Sequence, residues 1–132
     1  MRSDLKYPTL KAVYSVLEKL GVDPGTRYSE QDQDYEYTTC VLEELEQYID
    51  LYTQPETTDE EKRLLGCYFL ECLNEHIGNY GEKHIMQNFA FELLNSDIEI
   101  HETEWEYWST TPDSNEENWW HITKHIREWK NT

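Results

Sequence analysis

Residues 58–81 read TDEEKRLLGCYFLECLNEHIGNYG, and no other stretch restricts the fold of this chain as much. Thr58 followed by Glu61 matches a capping box, and acids crowd the first turn, where the helix dipole favours them. From Leu64 to Leu73 the run carries a single charge, Glu71, and is apolar nearly all round. A helix of that kind cannot lie on a surface with one face in water. It needs neighbours on several sides, so it belongs at the centre of the fold. Gly78 and Gly81 are the expected terminators, which bounds the helix at about residues 58–80.

The flanking sequence supplies partners of the same type. Leu10, Val13, Leu17 and Leu20 recur at helical spacing from about Thr9 to Leu20, ahead of Gly21. VDPGTRY then breaks the chain at Pro24 and Gly25. From about Tyr35 to Tyr52 a helix is predicted, with Val41, Leu42, Leu45, Tyr48, Ile49 and Tyr52 on one stripe. Glu36, Glu43 and Asp50 fall opposite, flanked by Glu46. Residues 82–95 predict a helix that buries Ile85, Met86, Phe89, Ala90, Leu93 and Leu94.

Ser96 with Glu99 would cap the segment DIEIHETEWEYW, for which helix is favoured over strand because Ile98, His101, Trp105 and Trp108 align. Ser114 with Glu117 would cap a last helix placing Trp119, Ile122, Ile126 and Trp129 on one face. With no internal repeat and no long linker, residues 1–132 read as one all-α domain, a bundle of five or six helices around the apolar one.

Charge sets the expected partners. The net charge is −17, and it is segregated. Residues 28–61 hold twelve acids and residues 96–118 hold eight, and neither block contains a Lys or Arg. Such a field repels nucleic acid and anionic lipid and attracts a basic protein surface, so direct nucleic-acid or membrane binding is not expected. It also exceeds what solubility needs, since a net charge of about 2–8 keeps a small domain dispersed. Tyr28, Tyr35, Tyr37 and Tyr48 are interleaved with the first block.

Signals for chemistry are sparse. The segment MRSDLKYPTL lacks the apolar run of a signal peptide, and no stretch of eighteen apolar residues occurs, so a cytoplasmic protein with reduced cysteines is expected. Cys40, Cys67 and Cys72 form no CxxC, and Cys67 and Cys72 read as small core residues. No GxSxG and no glycine-rich loop opening a helix is present. Glu71 and Glu75 lie in apolar context but read as the solvated strip of their helix. His121 and His125 are four apart without an HExxH motif, and DQDYE lacks the glycine and final glutamate of a calcium loop. No catalytic residue, metal or cofactor is therefore expected. Among five tryptophans, Trp105, Trp119 and Trp129 read as core filler. Trp120 falls off the apolar face, either as an exposed anchor or packed on the TTPD loop.

Acidic segments interleaved with Tyr and Trp, and the run RLLGCYFLECLNEHIGNYG followed by AFELL, resemble small helical immunity proteins found beside bacterial polymorphic and contact-dependent inhibition toxins. The resemblance implies a non-enzymatic inhibitor that stays in the cytoplasm and binds one cognate toxin domain, often a nuclease with a basic cleft. The expected binding residues are Glu30, Asp32, Asp34, Tyr35, Glu36, Tyr37, Glu43, Glu46, Asp50, Glu99, Glu102, Glu106 and Trp120. Carboxylates would supply steering, and rings would supply the desolvated anchors. A DNA mimic of phage or plasmid type, blocking a restriction, CRISPR or other DNA-binding protein, is the alternative. On a continuous helix Glu36, Glu43 and Asp50 would repeat about every 10.5 Å, which is sparse for imitating phosphates. A generic interaction domain, its acidity incidental, is a third reading.

Overall fold

In a computed structural model, which describes residues 3–29, 31, 33–110 and 115–130, the chain is all-α, with seven α-helices and no strand among the described residues. These are α1 (Leu10–Lys19), α2 (Tyr35–Thr38), α3 (Leu45–Tyr52), α4 (Asp59–Tyr80), α5 (Gln87–Ser96), α6 (Ile98–Ser109) and α7 (Thr123–Lys130). Short 3₁₀ turns occupy Ser3–Leu5, Pro24–Thr26, Leu42–Glu44 and Glu116–Asn118.

The apolar helix is the axis. The Glu61 N–H donates to Thr58 Oγ1 at 3.2 Å and the Thr58 N–H donates to Glu61 Oε1 at 2.9 Å, closing the capping box. Helices α1, α2, α3, α5 and α6 all pack on α4. Leu64, Leu65, Leu70 and Leu73 are fully buried, each worth about 2 kcal/mol relative to exposure. Gly81, at φ 74°, is the left-handed stop. Gly78 is not one: it lies inside the helix, where the His121 ring sits so close that an added Cβ would fall 2.7 Å from it. The Ile122 N–H donates to Asn74 Oδ1, pinning the same turn to α4.

The acid cap does further work. Glu61 accepts from Ser15 Oγ and Lys19 Nζ, so one carboxylate ties α1 to the start of α4. Its burial alone would raise the pKa, but these donors outweigh that and hold it at about 2.

The helix predicted across residues 35–52 is broken. Only one turn, α2, forms at its start. Val41 is extended at φ −132°, and helix resumes through the 3₁₀ turn into α3. Side-chain bonds, some local and some remote in sequence, set the break. Thr39 Oγ1 donates back to Tyr35 O and lies 2.6 Å from Tyr68 Oη, and the Val41 N–H donates to Tyr48 Oη instead of a helical carbonyl. Tyr48 Oη donates to Glu44, which Arg27 grips with both terminal nitrogens at 2.9 and 2.7 Å. Glu36 therefore does not share a helix face with Glu43 and Asp50.

Further expectations shift. Residues 82–86 precede α5, where the Met86 N–H donates to His84 Nδ1. Gln87, Ala90, Phe91 and Leu94 form the buried stripe, while Ile85 and Phe89 are exposed. Ser96 ends α5 rather than capping α6, and Asp97 stands between the helices with its carboxylate accepting from Tyr52 Oη. The cap expected at Ser114 falls outside the described residues; the last turn before α7 is capped by Asn115, which accepts from the Glu117 N–H. Helix α7 starts at Thr123, so Trp119 and Ile122 precede it.

The segment 98–109 is helical, as favoured from the sequence. Its C-terminal Thr110 takes a left-handed conformation, φ 49°, costly for a β-branched residue. Arg127 of α7 holds it there. Its guanidinium donates to Ser109 O at 2.8 Å and Thr110 O at 3.0 Å, placing a cation at the negative end of α6.

His101 is fully buried against Gly66, where a Cβ would sit 2.5 Å from its Nδ1. Tyr52 Oη commits its proton to Asp97 Oδ2, so His101 Nε2–H donates to Tyr52 at 2.7 Å. His101 Nδ1 finds no partner among the described residues. Burial, with Arg63 and Lys62 nearby, lowers its pKa to about 3. A neutral folded imidazole that charges on unfolding contributes stability in full above about pH 6.5. That contribution is lost toward pH 3, at about 1.4 kcal/mol per pH unit. Glu61, also depressed, adds its own loss between about pH 4.5 and 2. Denaturation between pH 7 and 5 is therefore expected to lose about 2 kcal/mol, and His101→Gln should remove most of that slope. A variant retaining the full slope would assign it to other groups.

Candidate interaction surface

The carboxylates divide into those consumed inside the fold and those left outside. Glu104 is buried, accepting from Arg63 Nη2 at 3.1 Å through one oxygen and from Tyr37 Oη and Trp108 Nε1 through the other. Arg63, 1% exposed, also donates to Leu5 O, Lys6 O and Cys67 Sγ. Lys19 pairs with Glu61, Arg27 with Glu44 and Lys62 with Asp97. Each of these pairs removes a cation from the competition for the acids that remain.

The remaining acids among the expected binding residues gather in three neighbourhoods. Glu43, Glu46 and Asp50 are exposed, on the side of α3 and its leading turn away from Leu45, Tyr48, Ile49 and Tyr52. Glu43 and Glu46 edge a cleft of about 270 Å³ with His76, Tyr80 and His84. His84 has its pKa lowered by partial burial and by the neighbouring His76, against an opposing pull from Glu46. Its Nδ1 already accepts from Met86, so it cannot take a proton there without losing that bond.

On α6, Glu99 and Glu106 are exposed and Glu102 is half-buried. Glu102 and Glu106 line a groove of about 540 Å³ with Ile98 and Trp129. His121 and His125 serve different neighbours, the first lying on Gly78 and the second 3.0 Å from Gln87 Nε2.

The third neighbourhood joins the two acidic blocks. Tyr37 of α2 stacks on Tyr107 of α6, centroids 6.2 Å apart, and meets Trp108 edge-on. Trp120 completes the cluster, 6.0 Å from Tyr107 and 5.4 Å from Trp108. Asp34 is exposed beside it and Glu36 is half-buried, its pKa raised by burial and by Asp34 and Glu104. The Tyr107 hydroxyl is pushed upward by partial burial first and then by the charges of Glu104, Asp34, Glu71 and Glu36. Glu71 is half-buried rather than part of a fully solvated strip, and burial with Glu75 raises its pKa.

Of the expected anchors, Trp120 is exposed, at 43%. Tyr35 and Tyr37 are half-buried with their hydroxyls turned inward, Tyr35 donating to Pro8 O and Tyr37 to Glu104. They shape the face from beneath rather than protruding from it. Glu30 and Asp32 lie outside the described residues. Tyr107, 48% exposed, was missed from the sequence, although its position off the Trp105–Trp108 line of α6 marks it as outward-facing.

No helix among the described residues is long and apolar enough to cross a membrane, and no group of three or more His, Cys, Asp or Glu side chains there is placed to hold a metal ion. Comparison of the chain with protein-family models, curated proteins and solved structures finds no match.

Proposed function

We propose that this protein is a non-enzymatic binding inhibitor of the immunity-protein kind, acting in the cytoplasm on a cognate bacterial toxin domain, foremost a nuclease with a basic cleft. The observation that supports it is the sorting of charge. Arg27, Lys19, Lys62 and Arg63 are tied to carboxylates, while Glu43, Glu46, Asp50, Glu99 and Glu106 stand in solvent on rigid helical turns. Self-repulsion of that kind costs the monomer stability and is recovered when a cationic surface docks. Complementary fields bring association toward about 10⁸–10⁹ M⁻¹s⁻¹ at low salt, which suits the capture of a toxin before it acts.

The DNA-mimic reading loses its regular element. The break at residues 39–41 separates Glu36 from Glu43 and Asp50, so no seven-residue ladder of carboxylates exists there.

Coexpression with the product of the gene immediately upstream tests the proposal. That product is expected to arrest growth alone and to be neutralised by this protein. A harmless neighbour would remove the reading's biological basis, and inhibition of several unrelated DNA-binding proteins would favour the mimic.

A further inference from the structure

Two large rings stand half in solvent where α2, α6 and the residues before α7 meet. Tyr107 and Trp120 are 48% and 43% exposed, their centroids lie 6.0 Å apart, and their planes are tilted by 32°. Each is braced from behind. Tyr37 stacks on Tyr107, and Trp108, 3% exposed, meets both rings. Trp120 is further fixed by its backbone N–H, which donates to Thr123 Oγ1. Rings held this firmly lose little freedom on contact, which is what an interface anchor requires.

The rim decides the occupant. Asp34 and Glu36 lie within three residues of Tyr37, whose ring stacks on Tyr107, and the charge of Glu71 also reaches the Tyr107 hydroxyl, so an apolar partner would have to desolvate carboxylates for no return. A cation gains from both the carboxylates and the negative ring faces. Lysine and arginine are not equivalent here. Ammonium is a compact, strongly hydrated point charge. Guanidinium is planar, more weakly hydrated, and able to lie flat on a ring while its N–H groups reach carboxylates at its edge. Among the described residues the Arg127 guanidinium comes within 4.0 Å of the Trp119 ring centroid, whereas the ammonium groups of Lys62 and Lys6 stay 5.3 and 5.4 Å from the Tyr52 and Tyr7 rings.

We propose that Tyr107 and Trp120 form a platform that receives an arginine side chain of a basic protein partner, with Asp34, Glu36 and Glu71 as its carboxylate rim. The proposal rests on the reading of this protein as a binder of basic surfaces and specifies which cation it selects. It differs from plain electrostatic attraction, which scales with charge and takes lysine equally well.

The test uses a short alternating Gly-Arg peptide and its Gly-Lys counterpart of equal length, titrated into the whole protein at low salt. The Arg peptide is expected to bind about fivefold or more tightly than the Lys peptide. The double variant Tyr107→Leu, Trp120→Leu should bind both alike, at the level of the Lys peptide. In the wild-type protein, where no substitution can disturb the fold, the indole N–H resonance of Trp120 should move on adding the Arg peptide and shift less with the Lys peptide.

Equal binding of the two peptides by the wild type overturns the platform, as does an arginine preference surviving in the double variant, an unmoved Trp120 resonance, or no binding of either peptide. These outcomes are independent of coexpression. A harmless upstream product with a retained arginine preference would remove the toxin and leave the platform. Rescue of growth with no such preference would do the reverse.

Discussion

Glu104→Ala is expected to cost about 3–5 kcal/mol of stability. The carboxylate neutralises a guanidinium that is 1% exposed, and its second oxygen receives the Tyr37 hydroxyl and the Trp108 indole N–H. Removing it strands a buried cation and two donors together. Since a domain of this size is stable by only about 5–15 kcal/mol, the variant should unfold well before the wild type in urea. Glu104→Gln retains the shape and one acceptor and should lose less, though still more than 1 kcal/mol, because the amide cannot serve Arg63 and the ring donors at once.

A third variant separates the pair's net worth from the penalty of breaking it. Arg63→Met with Glu104→Leu removes the stranded cation and should recover part of the loss, the rest staying with the Tyr37 and Trp108 donors and the Leu5 and Lys6 carbonyls that lose their partners. Urea midpoints at constant m would check all three. A shift below about 1 kcal/mol for Glu104→Ala would show that water or movement relieves Arg63, and the site is then not closed as described.

The second large effect concerns rate. Reversing Glu43, Glu46 and Asp50 to lysine should slow association with the toxin identified by coexpression by about 100-fold at low salt, and should flatten its salt dependence. Dissociation should change far less, because exposed charge governs encounter more than residence. Stability should hold within about 0.5 kcal/mol or rise, since all three side chains are exposed and the substitutions relieve repulsion. Stopped-flow association across a range of ionic strength distinguishes the outcomes. An unchanged rate with unchanged salt dependence would mean that these acids only keep the protein dispersed.

What was legible in the sequence is what is decided locally. The α4 capping box, its apolar circumference and the Thr9 start of α1 follow from residues within a turn of one another, and all are present. The break at Thr39–Val41 was not legible, because Tyr68 and Arg27 impose it from far along the chain while Tyr48 reaches back seven residues. Nothing in the neighbouring sequence marks Arg63 or Glu104 for burial, which follows only from α6 packing on α4 with Ser3–Leu5 alongside. The same limit applies to the surface. Composition located the acids, but not which were already committed: Glu44, Asp97 and Glu104 belong to the interior network, while Glu43, Glu46, Asp50, Glu99 and Glu106 remain available. Tyr107 joined Trp120 only once α2, α6 and the residues before α7 were in place.

The arrangement around α4 bears on how the protein meets a partner. Five helices lean on one spindle about 33 Å long, so none can swing out without uncovering leucines that the others also need. The repulsion carried outside is therefore resisted by the molecule as a whole, and its anionic ridges keep their spacing even in dilute buffer, where like charges push apart hardest. A partner encounters a relief already cast, and little of the energy of contact is diverted into shaping it.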